Sequence, residues 1–502
     1  QSQPHLLLMG GKSELSKEGA ASRTSHDSIP MRALLIVTVV LPTLAFAAVP
    51  AQQQTAVEIW SVDGQVAFEG LGRQLSVRDD FNQDGVDDLL SINPQASTNG
   101  FSGNGVIQGM SGSSGDVLWR IEGTSDGQLL GSTFPKMTDL NGDGIKDLFT
   151  VTSEASVYGF IRNGQASAYS GASGLLLWSK FGMADGEQLG EAYAQVGDLD
   201  GDGTPEIAIG SATASTLGMG RNGYVEIVSG QFGYTLWHRD GISDDAGLGS
   251  SIAVGPDVDG DGQLDVLAIN QDFTDAAGYR TGKVTAFSAR TGQILWEATG
   301  GRANARLGQN VIATEDLNGD GTIDVLTINP DADGMFTSEC GSVVAISGVN
   351  GSTLWQTEGM FNAERLGVES YIAEDLNLDG TADLILGSPE ADAFGIPSSG
   401  HVTALSGANG STIWRRNGNQ YYGRLGANIE LIDDVNGDGL QEVLASSPDS
   451  SPYGMAGAGS LEMISGGSGF PLWAANGNQP GMHLGSCVLS VDDVNGDGMV
   501  DI

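Results

Sequence analysis

Apolar and polar positions recur along this chain with a period of 59, from about Val57 to its last residue. One unit shows the pattern. Leu307-Gly308 opens a short mixed segment that reaches Asp316, and the polar loop DLNGDGTID follows. The apolar run Val325-Leu326-Thr327-Ile328 stops at Asn329-Pro330, and after a glycine-containing loop come GSVVAISG and GSTLW. Short apolar runs bounded by turn residues predict strands, and no stretch holds a helical period. Each unit therefore predicts four strands, here A to D in chain order. The fold class expected is all-β, a β-propeller built from four-stranded blades, since such sheets repeated radially form propellers. A β-solenoid is the other way to stack all-β repeats.

The period is strict. Trp60, Trp119, Trp178, Trp237, Trp296, Trp355, Trp414 and Trp473 follow one another at that interval without exception. Leu-Gly pairs keep the same spacing from Leu71-Gly72 to Leu484-Gly485. Eight A-B hairpins and eight Trp-bearing D strands can be counted, but only seven C strands. The unmatched pieces are a D strand at 57–60 and an A-B hairpin at 485–502. Joined in one blade they favour eight blades over seven, with the last blade truncated at residue 502.

The chain ahead of Val57 does not carry the repeat. From Met31 it reads MRALLIVTVVLPTLAFAAVP, one positive charge before an apolar stretch that ends in Ala45-Phe46-Ala47. This is the pattern of an export signal peptide, residues 31–47, cut after Ala47. Residues 1–30 are an upstream segment, 48–56 a short linker, and 57–502 the repeat domain. The apolar stretch is too short to span a bilayer and no second one follows, so no membrane span is expected. The protein is expected to be secreted or at the cell surface.

Charge narrows the chemistry. Lys+Arg number 22 against 63 Asp+Glu, a formal net charge of −41. Nucleic acid and anionic membrane need a basic surface and are excluded as partners. Two Cys cannot build a disulfide framework or a thiolate metal cluster. His238, His401 and His483 stand at unrelated phases, without a nucleophile triad or a His-Glu metal pattern. An enzyme is the less favoured reading, and its form would be a calcium-dependent polysaccharide lyase.

Carboxylates concentrate in the A-B loops, each reading D-x-[DN]-x-D-G-x-x-[DE]. The candidate metal ligands are Asp80, Asn82, Asp84 and Asp88 in the first loop, and Asp139, Asn141, Asp143 and Asp147 in the second. The third and fourth carry four carboxylates each: Asp198, Asp200, Asp202 and Glu206, then Asp257, Asp259, Asp261 and Asp265. Asp316, Asn318, Asp320 and Asp324 follow, then Asp375, Asn377, Asp379 and Asp383. Asp434, Asn436, Asp438 and Glu442 make the seventh set, and Asp493, Asn495, Asp497 and Asp501 the eighth. Oxygen donors at positions 1, 3, 5 and 9 around a glycine at 6 suit Ca2+, a hard cation, with up to eight ions expected. An EF-hand needs Glu at position 12 and flanking helices; Ser91, Thr150, Ile209, Ala268, Thr327, Leu386 and Ala445 stand there instead.

These loops resemble the FG-GAP repeat of integrin α-subunit propellers, with Leu-Gly for Phe-Gly and Gly387-Ser388-Pro389 for Gly-Ala-Pro. The resemblance covers 57–502 and implies calcium held in the A-B hairpin. The segment VTAFSARTGQILW, 284–296, is similar to the tryptophan-docking repeat of quinoprotein propellers, which implies that each Trp packs between blades. Together they suggest an exported, calcium-ordered module for extracellular binding or adhesion, whose ligand is a protein or polysaccharide. A-B and C-D turns share one face of a propeller, and B-C and D-A connections the other. On the latter, Arg306, Arg365, Arg424 and His483 hold one phase before each Leu-Gly and form a candidate arc for an anionic ligand.

Overall fold

The computed structural model describes residues 32–37, 57–63, 74–77, 79–133, 135–486 and 488. Within these the chain is all-β, with seven four-stranded sheets and one two-stranded sheet. Each four-stranded sheet runs A-B-C-D in space as in sequence, so every connection is an antiparallel hairpin of neighbours. Contacts divide the chain into two units, one of residues 1–190 with 230–233 and one of the remainder.

The first unit holds two of the four-stranded sheets. The first is Gln74–Val77, Leu89–Asn93, Val106–Met110 and Val117–Glu122. The second is Lys136–Thr138, Asp147–Thr152, Gln165–Tyr169 and Leu176–Phe181. Here too Val57–Asp63, the expected first D strand, pairs antiparallel with Arg32–Val37. Part of the run read as an export signal thus supplies a strand. Among the described residues no C strand pairs with this D strand, and the apolar RALLIV segment lies along its edge instead. The A-B hairpin expected to complete that blade, with Asp493, Asn495, Asp497 and Asp501, lies outside the described residues.

The second unit holds five sheets. The third sheet of the chain comprises Ala192–Gln195, Ile207–Ser211, Tyr224–Val228 and Thr235–Asp240. The fourth comprises Ser251–Val254, Val266–Asn270, Lys283–Phe287 and Ile294–Thr299. The fifth comprises Asn310–Ala313, Val325–Asn329, Ser342–Ile346 and Thr353–Glu358. The sixth comprises Glu369–Ala373, Asp383–Ser388, His401–Leu405 and Thr412–Asn417. The seventh comprises Ile429–Ile432, Glu442–Ser447, Ser460–Ile464 and Pro471–Asn476.

Burial explains the composition of each strand. Every described B strand is buried at every position, which is why it reads as a continuous apolar run. The D strand is an edge and alternates, as in Ile294–Thr299. The A strand is half-buried, and A strands of successive sheets touch, Ala192–Gln195 on Ser251–Val254 and that strand on Asn310–Ala313. Apolar cores lie between sheets, for example Val225, Ile227 and Trp237 of the third sheet against Val266, Ala268 and Phe287 of the fourth.

A bulge in each C-D pair aims the tryptophan. One residue before the Trp is unpaired, Leu295 in the fourth sheet and Ile413 in the sixth, because the register shifts there. The indole then covers the C-D turn of the next sheet. Trp237 Nε1 donates to Ala289 O at 2.6 Å, Trp296 Nε1 to Gly348 O at 2.7 Å and Trp355 Nε1 to Gly407 O at 2.8 Å. The ring lies on a turn glycine. A Cβ on Gly292 would stand 2.7 Å from Trp237 Cδ2, and its φ of +67° is itself a glycine conformation. These tryptophans thus pack from sheet to sheet.

Candidate metal centre

Each described A-B loop is folded around its own first carboxylate. In the second loop Asp139 Oδ1 accepts the Gly142 N–H at 2.7 Å, and Oδ2 accepts the Gly144 N–H at 2.9 Å. Asn141 Oδ1 accepts the Asp143 N–H and Asp143 Oδ1 the Ile145 N–H, both at 2.8 Å. Gly144 sits at φ +83°, the turn that position 6 demands. Asp316 and Asp434 repeat the arrangement with Gly321 and Gly439, whose N–H groups hold both carboxyls below the usual range. Position 2 pins the loop from beneath: Phe81, Leu140, Leu199, Leu317 and Leu376 are buried.

Position 9 has a second task. Asp88, Asp147, Glu206, Asp265, Asp324, Asp383 and Glu442 are all fully buried where the loop enters strand B. Asp265 Oδ2 accepts the Val258 N–H of its own loop at 2.8 Å, and Oδ1 accepts the Ala289 N–H of the C-D turn at 3.0 Å. Asp324 does the same with Leu317 and Gly348, and Asp383 with Leu376 and Gly407. These turn residues are the ones whose carbonyls accept the indole N–H of the preceding sheet. One turn residue therefore joins the acidic loop of its own sheet to the tryptophan of its neighbour. It also places the A-B and C-D turns at one end of the sheets, as expected.

Burial, with help from neighbouring carboxylates, raises the position-9 acids. It raises Asp88, Asp147, Asp324 and Glu442, pushes Asp265 and Asp383 up to about 6, and Glu206 up to about 7. The third loop is the most strongly charged. Asp198, Asp200, Asp202 and Glu206 each place a carboxylate oxygen within 4.8 Å of the others. Glu206 Oε1 is buried and has no hydrogen-bond partner. Asp257, Asp259 and Asp265 converge likewise, as do Asp434, Asp438 and Glu442. In the fourth loop Asp261 turns instead to Arg290, 3.0 Å from its Nε. Hard anionic oxygens gathered this closely, one of them buried and unpaired, are compatible with a divalent cation.

The Arg-His arc is brought together, but with acids interleaved. Arg306 lies 3.8 Å from Asp331, Arg365 2.8 Å from both Asp331 and Glu390, and Arg424 3.8 Å from Glu390 and 3.6 Å from Asp449. His483 closes the row 3.2 Å from Asp449. Each acid sits between two cations of successive repeats. Sequence reasoning noticed the cations and missed the acids, although 331, 390 and 449 keep the same period. It also missed position 2, whose signal is an apolar residue inside an otherwise polar motif.

Comparison with known proteins agrees with this architecture. Residues 139–209 match the FG-GAP-like repeat family and 248–287 the FG-GAP repeat. The chain is 32% identical over 136 residues to Protein FAM234B of Gallus gallus, covering 26% of this chain and 20% of that protein. It is 29% identical over 143 residues to integrin alpha-11 of Homo sapiens, 26% of this chain and 12% of that protein. Over 174 residues it is 29% identical to human Protein FAM234A, 32% of this chain and 29% of that protein. The aligned regions span less than a third of each of these curated relatives. Both family matches fall on A-B loops of the kind built above, so residues 139–209 and 248–287 carry FG-GAP-type repeats, and about a quarter of the chain is similar to integrin alpha-11.

Proposed function

We propose that this protein is an exported, calcium-ordered β-propeller that acts as an extracellular binding or adhesion module. The observation that carries the calcium reading is Glu206 Oε1, buried without a partner beside three further carboxylates. A cation there replaces mutual repulsion with attraction and satisfies the orphaned oxygen. Calcium suits the set better than magnesium, which keeps its waters and demands strict octahedral geometry. The same motif recurs in every repeat, so up to eight ions are bound, the eighth at Asp493, Asn495, Asp497 and Asp501. Export rests on the leader pattern of 31–47 and on the integrin α similarity, which also supports a protein ligand. Ring closure completes the blade that begins at Val57–Asp63. Because its cations are already matched by Asp331, Glu390 and Asp449, the Arg-His arc is assigned to holding successive blades together.

The test is thermal unfolding of the chain in millimolar calcium and in excess chelator, with calcium counted by titration calorimetry. If each site has a dissociation constant of ~0.1 mM, ~2 mM calcium stabilises each by about 1.8 kcal/mol. A large upward shift with calcium is expected, and Glu206→Gln should weaken binding at one site. An unchanged melt would remove the calcium reading.

A further inference from the structure

The repeat makes it possible to see what one interface lacks relative to its neighbour. Between the fifth and sixth sheets, Glu364 is buried and its Oε1 lies 2.9 Å from His401 Nε2 and 3.0 Å from Arg415 Nη2. His401 Nδ1 in turn meets Thr403 Oγ1 at 3.1 Å. One repeat later the three positions are Gly423, Ser460 and Ala474. All three line a cavity of about 160 Å³ between the sixth and seventh sheets. The space that this Glu-His-Arg triad fills in one interface is therefore open in the next.

The walls say what the space can hold. Arg416 and Glu462 face each other there in a two-pronged pair, Nε to Oε2 at 2.9 Å and Nη2 to Oε1 at 2.5 Å, so the charge of the lining cancels. An ion entering would lose water without finding a free counter-charge. The side-chain amides of Asn417 and Asn476 also line the cavity and hydrogen-bond to no other described residue; each offers donors and an acceptor. Ser447 adds a hydroxyl. The D-A loop that forms one wall continues into Tyr421 and Tyr422, 67% and 63% exposed, and Tyr422 is held at φ +55°. Exposed rings beside a neutral cavity rich in both donors and acceptors suit a ligand with hydroxyls on its edge and an apolar face.

We propose that the cavity left by Gly423, Ser460 and Ala474 binds one neutral sugar ring of a glycan. This rests on the reading of the protein as an extracellular binding module and names a ligand class for it. Its site lies away from the acidic loops, so sugar binding and calcium stabilisation can be separated.

The experiment is saturation-transfer NMR and calorimetry of the full chain in calcium, with glucose, galactose, mannose and N-acetylglucosamine as probes and succinate as an anionic control. At least one neutral sugar should bind and succinate should not. Gly423→Glu combined with Ser460→His and Ala474→Arg refills the space with the neighbouring triad and should weaken sugar binding at least tenfold. A Cβ on Gly423 would stand 3.2 Å from Gln420 O, a tight contact that requires the loop to give by a few tenths of an ångström, so a second variant spares this glycine. Ala474→Arg alone, which leaves Gly423 and Ser460 as they are, should also weaken binding. Calcium-dependent melting of the same samples checks folding. Absence of binding by all four sugars, equal binding of succinate, or undiminished binding by both refilled variants overturns the proposal. A retained calcium shift with no sugar binding overturns the sugar site and leaves the calcium-ordered module standing.

Discussion

Two glycines of the fourth sheet isolate what tryptophan docking contributes. Gly292, in the C-D turn, has φ +67° and lies under Trp237; Gly278, in the B-C loop, has φ +83° with nothing within 4 Å of an added Cβ. Replacing either by Ala places a side chain in the left-handed region, at a cost of roughly 1 kcal/mol. Gly278→Ala should show that cost alone. Gly292→Ala also drives a methyl into the indole, with Cβ 2.7 Å from Cδ2 and 2.9 Å from Cε3. The ring must withdraw, which overpacks its far side by about 1–3 kcal/mol. Withdrawal also stretches the Nε1 bond to Ala289 O, a buried bond of about 1 kcal/mol. Arg239 Nε, which donates to Gly292 O at 2.7 Å, is disturbed as well. Gly292→Ala should therefore exceed Gly278→Ala by about 2–4 kcal/mol. Urea unfolding followed by circular dichroism measures both, in calcium to keep the loops constant. Equal destabilisation would mean that the indole does not clamp the turn, and the account of sheet-to-sheet packing would fall.

Asp331 is shared by Arg306 and Arg365, so Asp331→Asn should cost about 1 kcal/mol at low salt, most of it gone in ~1 M NaCl, since such half-exposed pairs are individually weak. A loss that salt does not diminish would count against the electrostatic origin. The buried triad predicts acid sensitivity. Burial holds His401 below its usual value and so keeps it neutral. For Glu364 burial pushes upward, but the His401 hydrogen bond and the Arg415 charge outweigh it and the carboxyl is lowered. A lowered folded value means stability present above the ordinary one and lost as pH falls. The triad's own contribution to stability should thus decline from pH 7 downwards, first through His401 and then through Glu364, against the opposite slope given by the raised position-9 acids. His401→Gln should remove the upper part of that decline in a pH series of melts; an unchanged series would refute the assignment. Glu206→Gln, measured by calorimetry, should lose one strong calcium site of the full set, and an unaltered stoichiometry and affinity would show that Glu206 is not a ligand.

Much of this was legible because duplication preserved phase. Four strands per unit, the acidic loops and the interleaved tryptophans follow from residues that recur at a fixed interval. What stayed hidden depends on partners far away in sequence. That Asp265 serves both its loop and Ala289 is a three-dimensional fact, since the aspartate pattern is the same with or without the turn contact. The bulge at Leu295 leaves no mark in composition. Arg365 looks like a free cation until Asp331 and Glu390 are folded beside it. Val57–Asp63 pairs with Arg32–Val37, and a periodic pattern cannot announce a partner from outside the repeat. The cavity at Ala474 could be read only by comparing it with Arg415, a comparison that has meaning once Glu364 and His401 are seen to meet.

The shared turn residues Ala289, Gly348 and Gly407 change how such an array should melt. In a linear chain of repeats, stability divides into an intrinsic energy for each unit and a coupling energy between neighbours. Each of these residues gives its N–H to an acidic loop and its carbonyl to the preceding tryptophan, so ordering the loop strengthens the coupling as well as the unit. Removing cations would then shorten the cooperative length, and one concerted transition would break into several. Glu442 accepts from Val435 and Asn436 but among the described residues makes no bond to its C-D turn. Glu206 likewise holds Leu199 of its own loop and, among the described residues, no C-D turn, so the third and seventh sheets are where loop order and tryptophan docking are least tied together.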